Sequence, residues 1–142
     1  MTEDPKLAPQ AALAEIRSLH EKRGIVWLER RAEDYLRFYW DDAALFIFDH
    51  SLTLEEMRNW LVPFMANGGG PITVAVPPVK DILLSESGDA ATTSYQWSTR
   101  SRNAEGVVFD RVNFETDVWY RRNGIWRVIF AHVTNLASKP VE

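Results

Sequence analysis

The stretch VVFDRVNFETDVWYRRNGIWRVIFAHVTN, residues 107–135, decides the fold of this chain. It predicts two long β-strands, at about 108–121 and 125–135, because it is dense in side chains that suit a pleated, half-buried surface. Between these strands, Asn123-Gly124 predicts a tight hairpin turn, since both residues accept positive φ angles. The chain therefore contains a long antiparallel strand pair near its C-terminus.

Side chains alternate between the two faces of a strand, so the first strand of this pair has two predicted faces. The odd-numbered face is unusually polar and holds Phe109, Arg111, Asn113, Glu115, Asp117 and Trp119. The even-numbered face holds Val108, Val112, Phe114, Val118 and Tyr120. In the second strand, strict alternation places Ile129, Ala131 and Val133 on one face and Trp126, Val128, Phe130 and His132 on the other. The polar face either lies in water or lines a pocket.

Composition limits the classes of protein and of partner. A chain of 142 residues fits one domain that can bury a real core. A net charge of −4 argues against a nucleic-acid partner, which would need a basic surface. No apolar run is as long as a transmembrane helix, and the first ten residues lack the apolar region of a signal peptide. We therefore expect a cytoplasmic protein without a membrane partner.

The residue types available also limit the chemistry. The absence of cysteine excludes disulfides, thiolate metal sites and a cysteine nucleophile. His20, His50 and His132 are widely separated and lack the spacing of metal ligands, so no metal site and no cofactor are predicted. Gly68-Gly69-Gly70 has no lysine or hydroxyl residue after it at phosphate-loop spacing and is interpreted as a flexible connection.

Upstream of the hairpin, helices are predicted first and strands afterwards. Helices are expected at about 9–30, 32–40 and 53–66, the last with Thr53 and Glu56 as an N-terminal capping box and Pro63 as a break or kink. Strands are expected at about 44–48, 72–76, 79–86 and 90–101. This order indicates an α+β fold with the helices on one face of the sheet. The domain is predicted to span 9–136, between a disordered lead at 1–8 and a tail at 137–142.

The first predicted helix has an apolar stripe at three- and four-residue spacing that one cation interrupts. The stripe consists of Ala12, Ile16, Leu19, Arg23, Val26 and Trp27. Arg23 has two interpretations. The favoured one is a packed side chain whose charged end reaches water; the other is a cation that points into a cavity under the helix.

The sequence ETDVWYRRNGIWRVIFAH, residues 115–132, resembles the C-terminal strand pair of the association (hub) domain of calcium/calmodulin-dependent protein kinase II. That domain belongs to the nuclear-transport-factor-2-like superfamily, together with SnoaL-like cyclases, ketosteroid isomerases and scytalone dehydratase. The resemblance extends through Tyr39-Trp40-Asp41-Asp42-Ala43, Pro71–Pro78 and Gly88-Asp89-Ala90-Ala91. It implies a cone-shaped fold in which a curved antiparallel or mixed sheet wraps around the N-terminal helices and encloses a pocket.

The resemblance also suggests candidate site residues. The ketosteroid isomerase base falls at Ile47, so Asp49, two residues later, becomes the candidate catalytic base on the same strand face. The oxyanion donor falls at Asn113, which can donate a hydrogen bond as a neutral amide. The alternative role for Asp49 is to cap a turn.

The arginines of the kinase hub pocket fall at Trp97, Asp117 and Val133, and none is retained. This difference suggests a small hydrophobic or aromatic ligand, more aromatic or cationic and less anionic than the carboxylates of the hub, with Arg23 either in the pocket or paired with Asp117. The predicted ligand-binding residues are Arg23, Trp27, Trp60, Tyr95, Trp97, Asp117, Ile129 and Val133, although a core position is the favoured interpretation for each of the three tryptophans.

Two functions agree with the sequence. The first is a SnoaL-like pocket protein, which could act as a cofactor-free isomerase, dehydratase or cyclase on a hydrophobic carbonyl substrate. The second is a non-catalytic oligomerisation or ligand-sensing module that resembles the kinase hub. In both cases the wide apolar face of the C-terminal strands predicts a homodimer through the sheet, because soluble monomers seldom expose so much contiguous apolar surface.

Overall fold

The computed structural model describes residues 7–141. Its helices come early in the chain, and its three longest strands come last, which confirms the α+β expectation. The helices are α1 (Leu7–Leu28), α2 (Ala32–Leu36) and α3 (Leu54–Ala66). The strands are β1 (Tyr39–Ile47), β2 (His50–Thr53), β3 (Gly70–Ala75), β4 (Ile82–Leu84), β5 (Ala90–Arg102), β6 (Val108–Arg122) and β7 (Ile125–Pro140).

The strands form one open, mixed, seven-stranded sheet in the order β2-β1-β7-β6-β5-β3, with β4 also paired to β5. Strand β1 runs parallel to β7, and the other pairs are antiparallel. The long strands β5, β6 and β7 therefore lie next to one another in the sheet, and β6 is bonded to a long neighbour along both of its edges.

The predicted hairpin at Asn123-Gly124 is confirmed. Arg122 pairs with Ile125, and the two turn residues have φ angles of 52° and 77°. Positive φ at both central positions gives a turn whose twist matches that of the flanking strands. This turn sets the register of β6 on β7.

Two extra residues in β7, Ile129 and Leu136, interrupt its alternation of faces. Val118 pairs with Phe130 and Trp119 with Val128, so Ile129 is an extra residue in β7. A bulge of this kind shifts the following side chains by one position. The face assignment made by strict alternation is therefore wrong for this strand: Trp126 and Val128 are buried with Ala131 and Val133, while Phe130 lies on the outer face.

The helices cover the inner face of the sheet. Helix α3 buries Leu54, Met57, Leu61 and Met65, which recur every three or four residues along one side. Its N-terminus carries the predicted capping box, in which the Thr53 hydroxyl accepts from the Glu56 backbone and the Glu56 carboxylate accepts from the Thr53 backbone. Pro63 lies inside this helix, which continues to Ala66, so Pro63 does not end it.

Several predicted boundaries differ from the structure. Residues 39 and 40, expected at the end of a helix, already belong to β1, because α2 ends at Leu36. Strand β7 continues to Pro140 and pairs with β6 there, so it extends through most of the predicted tail. The disordered lead predicted for residues 1–8 lies mostly outside the described residues, and helix α1 already includes Leu7 and Ala8.

Candidate functional site

A cavity of ≈ 620 Å³ lies between the inner face of the sheet and the helices. This volume is in the range of small-molecule sites. Aromatic and aliphatic side chains form much of its wall, including Trp27, Tyr35, Phe48, Leu52, Met57, Phe64, Trp97 and Val133. The polar side chains that reach it include His20, Arg23, Tyr95, Arg111, Asn113 and Glu115.

A buried ion pair lies at the closed end of the cavity. The Nη2 atom of Arg23 donates to Oδ2 of Asp117 at 2.6 Å and to the Tyr95 hydroxyl oxygen at 2.9 Å. Arg23 is 3% exposed and Asp117 is 0% exposed, so water compensates neither charge. Burial opposes the charge of Arg23, but Asp117 beside it raises the pKa of the guanidinium. The interpretation of Arg23 as a water-reaching side chain is therefore wrong, and the alternative pairing with Asp117 is present.

Glu115 is the second carboxyl group beside Arg23, and it lines the cavity. Its Oε2 is 3.5 Å from Nη2 of Arg23, farther than Asp117, and the residue is 5% exposed. Burial, followed by the charge of Asp117, raises the pKa of Glu115 well above its ordinary value. One guanidinium can neutralise only one of two adjacent buried carboxylates, so the closed end holds an extra proton, which we assign to Glu115.

Asn113 is oriented by a hydrogen bond across the sheet. Asn135 donates from Nδ2 to Oδ1 of Asn113 at 3.0 Å, which identifies the oxygen of the buried amide. The Nδ2 group of Asn113 is then left as a donor, without a protein partner among residues 7–141. Because Asn113 lines the cavity, it can offer this donor to a bound molecule.

His20, which lines the same cavity, supplies a basic acceptor nitrogen, whereas Asn113 supplies a donor. Its Nε2 lies 3.1 Å from the Pro77 carbonyl oxygen, which can only accept, so Nε2 carries the hydrogen. Burial, with Arg23 nearby, lowers the pKa of His20, so the ring is neutral near pH 7. Its Nδ1 is buried and has no hydrogen-bond partner within the described chain. His20 is thus a neutral imidazole with one unused basic nitrogen.

Most of the predicted site residues line the cavity. They are Arg23, Trp27, Trp60, Tyr95, Trp97, Asn113 and Val133. Asp117 does not line it, because Arg23 lies over its carboxylate at the closed end. Trp60 is half exposed at the open end and stacks on Phe64, with ring centroids 4.8 Å apart.

The prediction that Asp49 shares a face with Ile47 is wrong. Strand β1 ends at Ile47, and Phe48-Asp49 forms a two-residue turn to β2. Phe48 adopts a φ of 56°, so the alternation of a strand stops there. Phe48 lines the cavity, whereas Asp49 is exposed and does not. Asp49 therefore occupies a turn, and the structure gives no support for its role as the catalytic base.

Ile129 is also absent from the cavity wall. As the extra residue of a β-bulge, it does not share the inner face with Ala131 and Val133. The prediction assumed that alternation continues along the whole of β7, and a bulge is what breaks that rule.

Glu115 and His20 are the functional candidates that the sequence did not single out. His20 lies four residues after Ile16 and three before Arg23, so its spacing matched the buried stripe of α1, and only its polar character kept it out. Glu115 was already on the predicted polar face, between Asn113 and Asp117. The helical spacing of His20 and the strand position of Glu115 therefore indicated that both side chains face inward. Neither pattern identified Glu115 as a proton donor or His20 as a base.

Residues 7–141 contain neither a metal-binding group nor a membrane-spanning helix. Among residues 7–141, no three histidine or acidic side chains are grouped closely enough to hold a metal ion. None of the helices in this part of the chain is long and apolar enough to cross a membrane.

Comparison with known proteins gives structural neighbours only. No family model matches the sequence, and no curated protein matches it. A ketosteroid isomerase-like protein from Erwinia carotovora atroseptica is 17% identical, with a TM-score of 0.74 over 88% of this chain and 96% of that chain. A candidate scytalone dehydratase from Novosphingobium aromaticivorans is 9% identical, with a TM-score of 0.77 over 96% of this chain and 92% of that one.

A third neighbour is the candidate association domain of calcium/calmodulin-dependent protein kinase II from Xanthomonas campestris. It is 18% identical, with a TM-score of 0.63 over 86% of each chain. Other matching structures are described as nuclear-transport-factor-2-like proteins. The chain therefore has the nuclear-transport-factor-2-like fold that its resemblance implied, and at these identities the likeness concerns the fold alone.

Proposed function

We propose that this protein is a cofactor-free acid–base enzyme, of the isomerase, dehydratase or cyclase kind, that acts on a hydrophobic carbonyl compound in the cavity. One observation carries the proposal: the same apolar cavity holds a carboxyl group with a raised pKa, Glu115, and an imidazole with a lowered pKa, His20. Two titratable groups whose pKa values are driven apart in this way supply an acid and a base at neutral pH.

Each group has a defined role in the proposed reaction. Nδ1 of His20 removes a proton from the carbon next to the substrate carbonyl, because it is the unprotonated nitrogen of a neutral ring. Neutral Glu115 and the Nδ2 group of Asn113 donate hydrogen bonds to the enolate oxygen as its charge develops. The imidazolium then returns its proton to the substrate. The aromatic side chains of the cavity wall, among them Trp27, Phe48 and Trp97, would limit the access of water to the enolate.

The proposal is tested by hydrogen exchange at the carbon next to a ketone. The wild-type protein is incubated with 2-tetralone in D₂O, and loss of the α-proton signal is followed by NMR. His20→Asn should slow the catalysed exchange by roughly 10²–10⁴-fold, the usual contribution of a positioned base. Asp49→Asn is the matched control, since this exposed carboxylate lies outside the cavity, and it should leave the rate unchanged. A His20→Asn rate within a few-fold of wild type would rule out His20 as the base.

The pH profile separates this assignment from its reverse. The active form has His20 neutral and Glu115 protonated, so activity should fall in acid as His20 gains a proton. It should fall again in base as Glu115 ionises, above the ordinary pKa of a carboxyl group. Glu115→Gln should remove the alkaline fall. If activity instead rises with pH through the Glu115 pKa, Glu115 is the base and the roles are exchanged.

We also propose a homodimer through the outer face of the sheet. Phe46, Phe114, Tyr120 and Phe130 are each 38–41% exposed there, and an apolar surface of this kind favours association. Light scattering with size-exclusion chromatography should give twice the chain mass, and Phe114→Lys should give the monomer. A wild-type monomer would contradict the proposal. Cytoplasmic location and the absence of nucleic-acid and membrane partners stay predictions.

The exposed face also keeps a second candidate function open, a non-catalytic assembly or ligand-sensing module. A ring of many subunits would favour it, as would tight binding of ketones without any catalysed exchange. A dimer that exchanges the α-protons would favour the enzyme.

A further inference from the structure

The inner face of β6 carries a row of polar side chains that runs from the closed end of the cavity to its open end. Both extra residues of the β6–β7 pairing, Ile129 and Leu136, lie in β7, so β6 keeps strict alternation. The row therefore consists of Asp117, Glu115, Asn113 and Arg111, in that order. Neighbours in the row are about 7 Å apart along the strand, at about 3.4 Å per residue.

Arg111 is the member of this row that the proposed reaction does not use. It is half-buried and lines the cavity. Its guanidinium carbon lies 5.4 Å from the ring centroid of Phe109 and 5.8 Å from that of Phe48. These rings hold the guanidinium in place but cannot neutralise it, since a ring supplies only a quadrupole.

No carboxylate lies within salt-bridge distance of Arg111 among residues 7–141. Arg100 differs in this respect. It lies on β5, on the outer face of the sheet, and donates two hydrogen bonds of 2.8 and 3.0 Å to Asp110 of β6. Arg111 is therefore a positioned cation on the cavity wall with its charge unpaired, whereas its neighbour on the other face is fully engaged.

The charges around Arg111 leave the open end positive. Arg102, Glu105 and His50 also line the cavity there. Arg102 donates to the Gly106 carbonyl at 3.4 Å, which keeps it within its own loop. Two arginines thus share this end with one carboxylate, and the other charged group on the cavity wall, Arg23, is paired with Asp117 at the opposite end.

We propose that Arg111 is an anion subsite and that the natural substrate is an amphipathic keto acid. Its apolar body fills the aromatic cavity, its carbonyl meets Glu115 and Asn113, and its carboxylate binds Arg111. The strand geometry places that carboxylate roughly 7–14 Å from the reacting carbonyl, the distance of Arg111 from Asn113 and from Glu115 along β6. This inference rests on the proposed function for the identity of the carbonyl end. The carboxylate end is tested by binding alone.

The test uses displacement of the neutral fluorescent probe N-phenyl-1-naphthylamine from the cavity. The competitors are ω-benzoylalkanoates, in which the chain between ketone and carboxylate is lengthened one methylene at a time, and the methyl ester of each. Wild-type protein should bind the acids more tightly than the esters, with an optimum at an intermediate chain length. Arg111→Met should weaken binding of the best acid by about tenfold or more, because a charge-assisted hydrogen bond is lost, and should leave its ester unchanged.

Two control variants accompany this comparison. Arg111→Lys should restore part of the preference for the acid, because it returns the charge without the planar guanidinium. Arg100→Met, on the outer face, should leave both competitors unchanged. Equal loss of acid and ester in Arg111→Met would show a packing role only, and no loss of the acid would exclude the subsite.

The outcomes also separate the two proposals. A preference for acids that depends on Arg111, without any exchange of the ketone α-protons, supports the subsite and contradicts the enzyme. Catalysed exchange of the esters and acids alike, with no effect of Arg111→Met on binding, supports the enzyme and overturns the subsite.

Discussion

Replacing Arg23 with methionine tests the buried ion pair on which the closed end of the cavity depends. The substitution keeps an apolar stem of similar length but removes the partner of Asp117, which is 0% exposed and receives its shortest hydrogen bond, 2.6 Å, from Arg23. The Tyr95 hydroxyl, at 3.2 Å, and the protonated Glu115 then remain as donors to the Asp117 carboxylate, and neither carries a positive charge. Water cannot take over, because both partners are enclosed.

The expected loss in the free energy of unfolding follows from the burial of this ion pair. Removing one partner of a buried pair typically destabilises a protein by about 3–5 kcal/mol. At about 2–4 °C per kcal/mol, the fall in Tm should be roughly 6–20 °C. The matched control is Arg122→Met, which breaks the exposed pair with Asp42, 2.8 Å long, and should change stability by about 0.2–1 kcal/mol.

Urea unfolding followed by circular dichroism measures both variants, and a double variant completes the test. Arg23→Met combined with Asp117→Leu removes both charges, so it should be less destabilised than Arg23→Met alone. A loss of stability below about 1 kcal/mol in Arg23→Met, the value of an exposed pair, would refute a desolvated ion pair. Arg23 would then be solvated through the cavity.

Two further predictions concern stability. Because the pKa of Glu115 is raised in the folded protein, the contribution of this group to stability is fully present below the ordinary pKa of a carboxyl group. It should be lost as pH rises from there through the folded pKa, so urea titrations at increasing pH should show a steeper decline over this range in wild type than in Glu115→Gln. Equal declines would contradict the assignment of the proton to Glu115. Thr53→Ala removes the hydroxyl that accepts from Glu56, and should cost about 1 kcal/mol in the same assay, whereas Ser51→Ala in the adjoining strand should cost less.

Features that depend on local chemistry could be predicted from the sequence. Asn123-Gly124 specifies its turn because the required φ angles exclude most other residues. Thr53 and Glu56 specify a helix start because their partners are three residues apart along the chain. The α+β architecture followed from the order of such elements, and the resemblance of residues 115–132 gave the cone-shaped fold.

Features that depend on distant partners could not be predicted in this way. Ile129 looked like an inward-facing residue until its pairing with β6 showed a bulge. Asp49 looked like a strand residue until Phe48 entered the left-handed region and ended the alternation. In both cases one irregular backbone position changed the face of a side chain, and neither irregularity has a glycine or proline to indicate it.

The closed end of the cavity shows why site chemistry is harder to predict than the fold. The sequence placed Asn113, Glu115 and Asp117 on one face, but three polar residues on a strand are compatible with a wet surface. Arg23 shows that this face is buried, because it reaches Asp117 from α1, some ninety residues away in sequence, and pairs with it. Once Asp117 is neutralised, Glu115 is the carboxyl group left without a full counter-charge, and burial keeps it protonated. The proposed acid therefore arises from the packing of a helix against a sheet, and no single stretch of the chain contains it.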